Sequence, residues 1–245
     1  MNIILIGAQG SGKGTQAEKL SLALSARHVS SGDLFRKALG EKTELGLKAK
    51  AYLDKGELVP DDITVAMVLE SITQQNGTPG ILLDGFPRTI AQAVALDEKL
   101  QQAGQYIDMA IYLEVPRAEL LKRLSGRYIC RAHQHVYNIN TRPPRVAGIC
   151  DIDGSELYQR SDDKGEAVQK RLDIFFNETI QLLGYYDRQM KLTNVNGNQS
   201  ISRVQSDLLH AIDTFKANED VKRIQPWQIP SLPDNISPRM GTGQP

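Results

Sequence analysis

The amino terminus runs strand, glycine-rich loop and helix without interruption, and this pattern restricts the fold more than any other stretch of the chain. Met1–Ile6 is a short apolar run, Gly7-Ala8-Gln9-Gly10-Ser11-Gly12-Lys13-Gly14-Thr15 follows it, and Gln16–Leu24 is amphipathic. The spacing G-x-x-x-x-G-K is that of a phosphate-binding loop. Glycines let the backbone wrap an anion with its N–H groups pointing inward. The helix behind the loop contributes its positive N-terminal end. Lys13 supplies a point charge for β- and γ-phosphates. An incidental glycine-rich turn would need neither the buried strand before it nor the helix after it.

The rest of the composition narrows the setting. The chain has 245 residues, 40% of them hydrophobic, enough for one substantial core or a core with small inserted domains. Lys+Arg and Asp+Glu both number 29. With no basic excess, neither a general nucleic-acid binder nor a membrane-surface protein is favoured. No apolar run approaches a membrane span. The phosphate-binding unit begins at once and leaves no room for a cleavable signal, so a cytoplasmic location is expected. Cys130 and Cys150 are the only cysteines. In a reducing compartment they point to a metal before a disulfide.

Ile3–Ile6, Ile81–Leu83, Met109–Leu113 and Leu192–Val195 read as buried strands, with a weaker fifth around His28–Ser30. Helical patterns separate them at Thr15–Leu24, Asp33–Leu39, Leu45–Leu53, Asp61–Gln74, Thr89–Gln101, Arg117–Leu124, Ala167–Met190 and Ile201–Phe215. Strands alternating with helices imply an α/β fold with a parallel sheet. Residues 30–59 hold helices but no good strand, and 126–163 read as a small hairpin-rich insertion. After Phe215 five prolines fill a tail without apolar periodicity, expected to be extended or disordered, with Trp227 and Ile229 able to dock it.

Six arginines stand where a phosphate enzyme wants bidentate donors. Arg36 follows Ser31-Gly32-Asp33, and Arg88 follows Asp84-Gly85-Phe86-Pro87. Arg123 and Arg127, four apart, are expected to share a helix face. Arg160 and Arg171 flank Asp162-Asp163. Arg88 falls at the carboxyl end of a strand, where open α/β sheets bind ligands. Asp84, ending the same strand, can hold water on a nucleotide-bound Mg²⁺, or else cap the next turn. Asp33 is expected to share that water-mediated role. Gly14 follows Lys13 where a serine or threonine is commoner, so carboxylate-held waters gain weight over direct hydroxyl ligation.

Cys130-x-x-His133 and Cys150-x-x-Asp153 have the spacing of two hairpin knuckles. Two thiolates, an imidazole and a carboxylate suit a tetrahedral structural Zn²⁺, with His135 and Asp151 as spare ligands. The alternative is a segment held by hydrogen bonds with two free thiols. If a metal is structural, chelation should melt this segment first.

The loop through Thr15-Gln16, Ser31-Gly32-Asp33-Leu34-Phe35-Arg36, Leu83-Asp84-Gly85-Phe86-Pro87-Arg88-Thr89 and Gly184-Tyr185-Tyr186 together resemble adenylate kinase of the long-lid bacterial type, over residues 1 to about 216. The resemblance implies a P-loop nucleoside monophosphate kinase fold: five parallel strands, a core at 1–29, 60–125 and 164–216, an AMP-binding insertion at 30–59 and a lid at 126–163. The tail 217–245 has no counterpart in it. It implies that Ser31, Arg36, Glu57, Leu58, Val59, Gly85, Phe86, Pro87, Arg88 and Gln92 form the AMP pocket, joined by Arg160 and Arg171. Gly10, Ser11, Gly12, Lys13, Gly14, Thr15, Arg127, Val136, Tyr137 and Gln199 would hold ATP. Lys13, Arg88, Arg123, Arg160 and Arg171 would act on the transferring phosphoryl. Family lids commonly carry four cysteines, or three and an aspartate, where this chain has His133. Gln9 replaces a common proline and Ser31 a frequent threonine.

The implied activity is Mg²⁺-dependent ATP + AMP ⇌ 2 ADP by a cytoplasmic monomer, with a structural Zn²⁺ in the lid. The nearest rivals keep the fold but take GTP as donor, or UMP or CMP as acceptor. A nucleotide switch would need a guanine-reading N-K-x-D segment, which does not occur. A zinc-finger nucleic-acid module would explain Arg127, Arg131, Arg142 and Arg145, but a triphosphate explains them as well.

Overall fold

The computed structural model describes residues 1–55, 57–73, 80–163 and 165–224. It divides into two units, Met1–Leu209 and His210–Pro245. The chain opens with β1 (Ile3–Ile6), α1 (Lys13–Leu24), β2 (Arg27–Ser30), α2 (Ser31–Gly40), α3 (Glu44–Leu53) and α4 (Asp61–Thr73). It continues through β3 (Ile81–Asp84), α5 (Ile90–Gln102), β4 (Met109–Glu114) and α6 (Arg117–Ser125). Three short strands follow, β5 (Arg127–Cys130), β6 (Val136–Asn138) and β7 (Leu157–Tyr158). The last elements are α7 (Gly165–Ile174), α8 (Gln181–Asp187), β8 (Leu192–Asn196) and α9 (Ile201–Ile224).

Five strands form one parallel sheet in the order β2-β3-β1-β4-β8. Every residue of β1 and β3 is buried, as expected of strands covered on both faces by helices. Ile4, Leu83 and Ala110 belong to one core with Leu172, Leu182 and Tyr186. The α/β class and parallel sheet expected from the strand–helix alternation are what the structure has. Leu5 pairs with Asp84, so the phosphate loop and that carboxylate lie at the carboxyl ends of neighbouring strands.

Two smaller clusters sit outside this core. Phe35, Ala49 and Val59 pack together between β2 and β3. Cys130, Tyr137, Cys150 and Leu157 form the core of the antiparallel sheet β6-β5-β7. Among the described residues no helix is long and apolar enough to cross a membrane.

Three expectations need correction. Helix α6 is capped by Gly126, so Arg127 lies on β5 and shares no helix face with Arg123. The expected helix Ala167–Met190 is interrupted by a π-helical turn at Phe175–Thr179, where Ile180 N–H donates to Phe175 O at 2.9 Å. One extra residue in a turn leaves both flanking patterns helical, so periodicity does not reveal it. Helix α9 runs on to Ile224, past the expected change at Phe215. Residues 216–224 contain no Gly or Pro, and their good helix formers outweigh the prolines that begin at Pro226. The remaining tail with Trp227 and Ile229, and Gln74 at the end of its expected helix, lie outside the described residues.

Candidate active site

Local chemistry at the N-terminus of α1 leaves donors free. Helices α2, α3 and α5 each have a capping hydroxyl, from Ser30, Thr43 and Thr89. Helix α1 has Gly12 as its N-cap and no side-chain cap, so its first amides are available to an anion. Gly12 has φ of 98°, and nothing lies within 4 Å of where its Cβ would be. A side chain there is opposed by backbone conformation alone. The buried Ser11 Oγ and Gln9 Oε1 have no hydrogen-bond partner within the protein, as suits a loop shaped to take a polar ligand.

Lys13 folds back into this loop. Its Nζ donates to Gly7 O at 2.6 Å and Ala8 O at 3.0 Å. Burial lowers its pKa to about 8; the Asp84 carboxylate opposes the shift, and Arg88, Arg171 and Arg127 reinforce it. A triphosphate would restore the proton by adding negative charge. MgATP binding at pH 8.5, where roughly three-quarters of free Lys13 is neutral, should therefore take up a substantial fraction of a proton. At pH 6.5 the uptake should vanish, because Lys13 is already charged. Calorimetry in buffers of different ionisation enthalpy reads this directly, and equal uptake at both pH values would refute it.

Asp84 is buried at the end of β3, with His28 Nε2 3.6 Å from its Oδ2. Burial pushes its pKa up, but His28, Lys13 and Arg88 together hold it below the ordinary value. It is therefore an anion facing the cations Lys13 and Arg88, a fitting anchor for metal-bound water. Asp33 is more exposed and pairs with Arg36.

All six arginines singled out from the sequence line one cleft of about 1680 Å³ with the phosphate loop, Val136, Tyr137 and Gln199. Arg88 Nε donates to Gly85 O at 2.8 Å, and Ser31 Oγ donates to the same carbonyl at 2.7 Å. Burial, followed by the like charge of Arg171, lowers Arg88 to about 10. Arg160 is also lowered to about 10, by burial and then by Arg36 and Arg127. Its Nε has no partner. The opposing charge comes mainly from Asp162 and the fully covered Asp163 carboxylate, which binds both Arg127 and Arg171. Arg123 is held by Glu119 at 2.9 Å and Gly197 O at 3.2 Å. Such crowding of cations favours a polyanionic ligand.

The remaining expected residues are not among the cleft walls. Phe86 lies in the main core and Val59 in the insertion's, so the cleft meets their neighbours Pro87 and Leu58. Glu57 pairs with Lys170 at 2.6 Å. Gln92 is only 1% exposed. Sequence reasoning missed Asp61, which accepts from Gln92 at 2.7 Å, and Gln134, which accepts from Arg160 at 3.3 Å. Neither lies in a recognisable motif.

In the three-stranded sheet, ligand atoms of Cys130, His135, Cys150 and Asp153 lie within 4.8 Å of one another. His135 Nδ1 is 3.4 Å from each sulfur and 3.2 Å from Asp153 Oδ2, and Cys130 Sγ is 3.3 Å from that oxygen. Bonds of about 2.0–2.3 Å at tetrahedral angles separate zinc ligands by about 3.3–3.8 Å, so the donor set fits the ion. His135 thus supplies the imidazole of this cluster, where the knuckle spacing pointed to His133. His133 is 69% exposed and reaches Asp153 Oδ2 at 2.9 Å from outside. The N–H groups of residues 133 and 135 both donate to Cys130 Sγ, at 3.4 and 3.2 Å.

A family model described as adenylate kinase matches residues 5–191. The chain is 50% identical over 212 residues to an adenylate kinase of Carboxydothermus hydrogenoformans, covering 86% of this chain and 99% of that protein. It is 48% identical over 215 residues to one of Syntrophomonas wolfei, covering 88% and 100%. Against one of Staphylococcus aureus it is 47% identical over 213 residues, covering 87% and 99%.

Proposed function

The chain belongs to the adenylate kinase family, and from that premise we propose how its cleft carries out the reversible transfer ATP + AMP ⇌ 2 ADP. One observation carries the proposal: the uncapped phosphate loop, Lys13 and six arginines converge on a single cleft. The loop amides of Gly10, Ser11, Gly12, Gly14 and Thr15 hold the triphosphate, with Lys13 on its β- and γ-phosphates. Arg127, Val136, Tyr137 and Gln199 hold the rest of ATP. Ser31, Arg36, Leu58, Gly85, Pro87, Arg88 and Gln92 receive AMP, helped by the backbone and packing of Glu57, Val59 and Phe86.

An AMP phosphate oxygen is already largely ionised at neutral pH and needs no general base. It bonds to the γ-phosphorus as the bond to the β–γ bridging oxygen breaks, leaving ADP on both sides. Lys13, Arg88, Arg123, Arg160 and Arg171 stabilise the charge spread over the moving group. Mg²⁺ bound with the nucleotide neutralises phosphate charge, and Asp84 and Asp33 would hold its waters. Zn²⁺ on Cys130, His135, Cys150 and Asp153 would fix the lid at 126–163 without entering the chemistry, since four protein ligands close its coordination. The lid and the insertion at 30–59 then close over the core to exclude water. On this proposal the enzyme is a cytoplasmic monomer, where a reducing environment leaves Cys130 and Cys150 as thiols able to bind a metal.

The test is to follow ADP and inorganic phosphate with ATP alone, ATP plus AMP, GTP plus AMP, and ATP plus CMP or UMP. Equimolar loss of ATP and AMP with twice that gain of ADP is expected, with little free phosphate. Phosphate release independent of AMP would make the protein a hydrolase. Faster transfer with GTP, CMP or UMP would replace the adenine specificity.

A further inference from the structure

The Gln92 amide is gripped by two partners of fixed polarity. Arg88 N–H donates to its Oε1 at 2.7 Å, and its Nε2 donates to Asp61 Oδ1 at 2.7 Å. The other Asp61 oxygen accepts from the Thr89 hydroxyl at 2.9 Å. The Thr89 oxygen accepts from Gln92 N–H at 3.1 Å and caps α5. This ring ties the first turn of α4, where Asp61 sits, to the first turn of α5.

A glutamine amide can turn over when its neighbours can both give and accept protons. A carboxylate beside it can only accept, and a backbone N–H can only donate. One orientation satisfies both, and the reverse would set oxygen against oxygen and N–H against N–H. Gln92 is almost wholly buried, so water cannot compensate for that mismatch. The locked amide keeps one N–H and one oxygen lone pair in a fixed order. Adenine offers a matching pair, the N1 acceptor beside the N6 amino donor. Hypoxanthine and guanine offer the reverse, an N1–H donor beside the O6 acceptor.

We propose that Asp61 is a specificity-determining positioning residue, which locks the Gln92 amide so that the monophosphate pocket accepts adenine and rejects 6-oxopurines. This rests on the proposed role of Gln92 in reading the AMP base. Asp61 acts through Gln92 and itself touches no nucleotide. Asp61→Asn keeps the shape but can donate as well as accept, so one of the two constraints on the amide is removed and only the Arg88 N–H still opposes its turning.

The experiment compares kcat/KM for AMP and IMP in the wild type, Asp61→Asn and Gln92→Leu, with the KM for ATP and the thermal midpoint recorded for each. In Asp61→Asn the AMP-to-IMP ratio should fall about tenfold or more, through a higher KM for AMP and a lower one for IMP, with the KM for ATP unchanged. General loosening of the fold would not lower the KM for IMP. A ratio held within about twofold in Asp61→Asn, while Gln92→Leu loses AMP, overturns the role of Asp61. An unchanged KM for AMP in Gln92→Leu overturns the base-reading role itself. Independently of any variant folding, the Gln92 side-chain NH₂ should exchange with water at least about a hundredfold more slowly than that of the exposed Gln101. Equal exchange overturns the lock.

Discussion

Lys13→Met lowers kcat by about 10²–10³-fold and leaves the thermal midpoint of the ligand-free protein unchanged or higher. The two halves of this outcome have one cause. The Lys13 ammonium is buried against the Gly7 and Ala8 carbonyls, and burial, reinforced by Arg88, Arg171 and Arg127, lowers its pKa to about 8 despite them. Keeping it charged at pH 7 costs the empty protein about 3 kcal/mol. Methionine fills much of the same volume without that cost, although it removes one of the cations facing Asp84. With triphosphate present the balance reverses, because the charge then faces phosphate oxygens and the developing transition state. Thermal unfolding with and without MgATP, beside steady-state kinetics, separates these effects. The variant should also lose most of the stabilisation that MgATP gives the wild type. A lysine holding the loop together would show the opposite pattern, with stability and activity falling in step.

The same residue illustrates what a sequence can show. The phosphate loop was legible because its chemistry is local: glycines, lysine and the following helix lie within one short segment. The parallel sheet was legible because β1, β3 and β4 are continuous apolar runs. The state of Lys13 was not, since its low pKa depends on burial and on Asp84 and Arg88, which are far off in the chain. Arg127 was placed beside Arg123 by counting residues, but Gly126 ends the helix between them. Its partner Asp163 becomes apparent only when β5 is folded. Asp61 carries no comparable signal, because a carboxylate at a helix start has a sufficient local explanation in the helix dipole.

His135→Ala should lower zinc affinity more than about 100-fold, and His133→Ala only about tenfold. The difference comes from the hairpin between β5 and β6. Gln134 adopts φ of 61°, its N–H donates to Cys130 O at 3.2 Å, and His135 O accepts from Cys130 N–H at 3.0 Å. This turn returns residue 135 to Cys130 and leaves residue 133 on the rim. His133 can then steady Asp153 by a hydrogen bond without being a ligand. The lid has little else to hold it, since its core consists of Cys130, Tyr137, Cys150 and Leu157 with Tyr128 packed alongside. Metal binding contributes on the order of 10 kcal/mol to small structural sites, and removing it should unfold the lid before the parallel sheet. Amide exchange in 126–163 should rise on chelation while β1, β3 and β4 stay protected. Turnover should fall about tenfold or more, because β5 carries Arg127 and the hairpin carries Gln134, the partner of Arg160. Metal retained by His135→Ala but lost by His133→Ala would reverse the ligand assignment. Exchange and turnover both indifferent to chelation would mean that hydrogen bonds alone hold the lid.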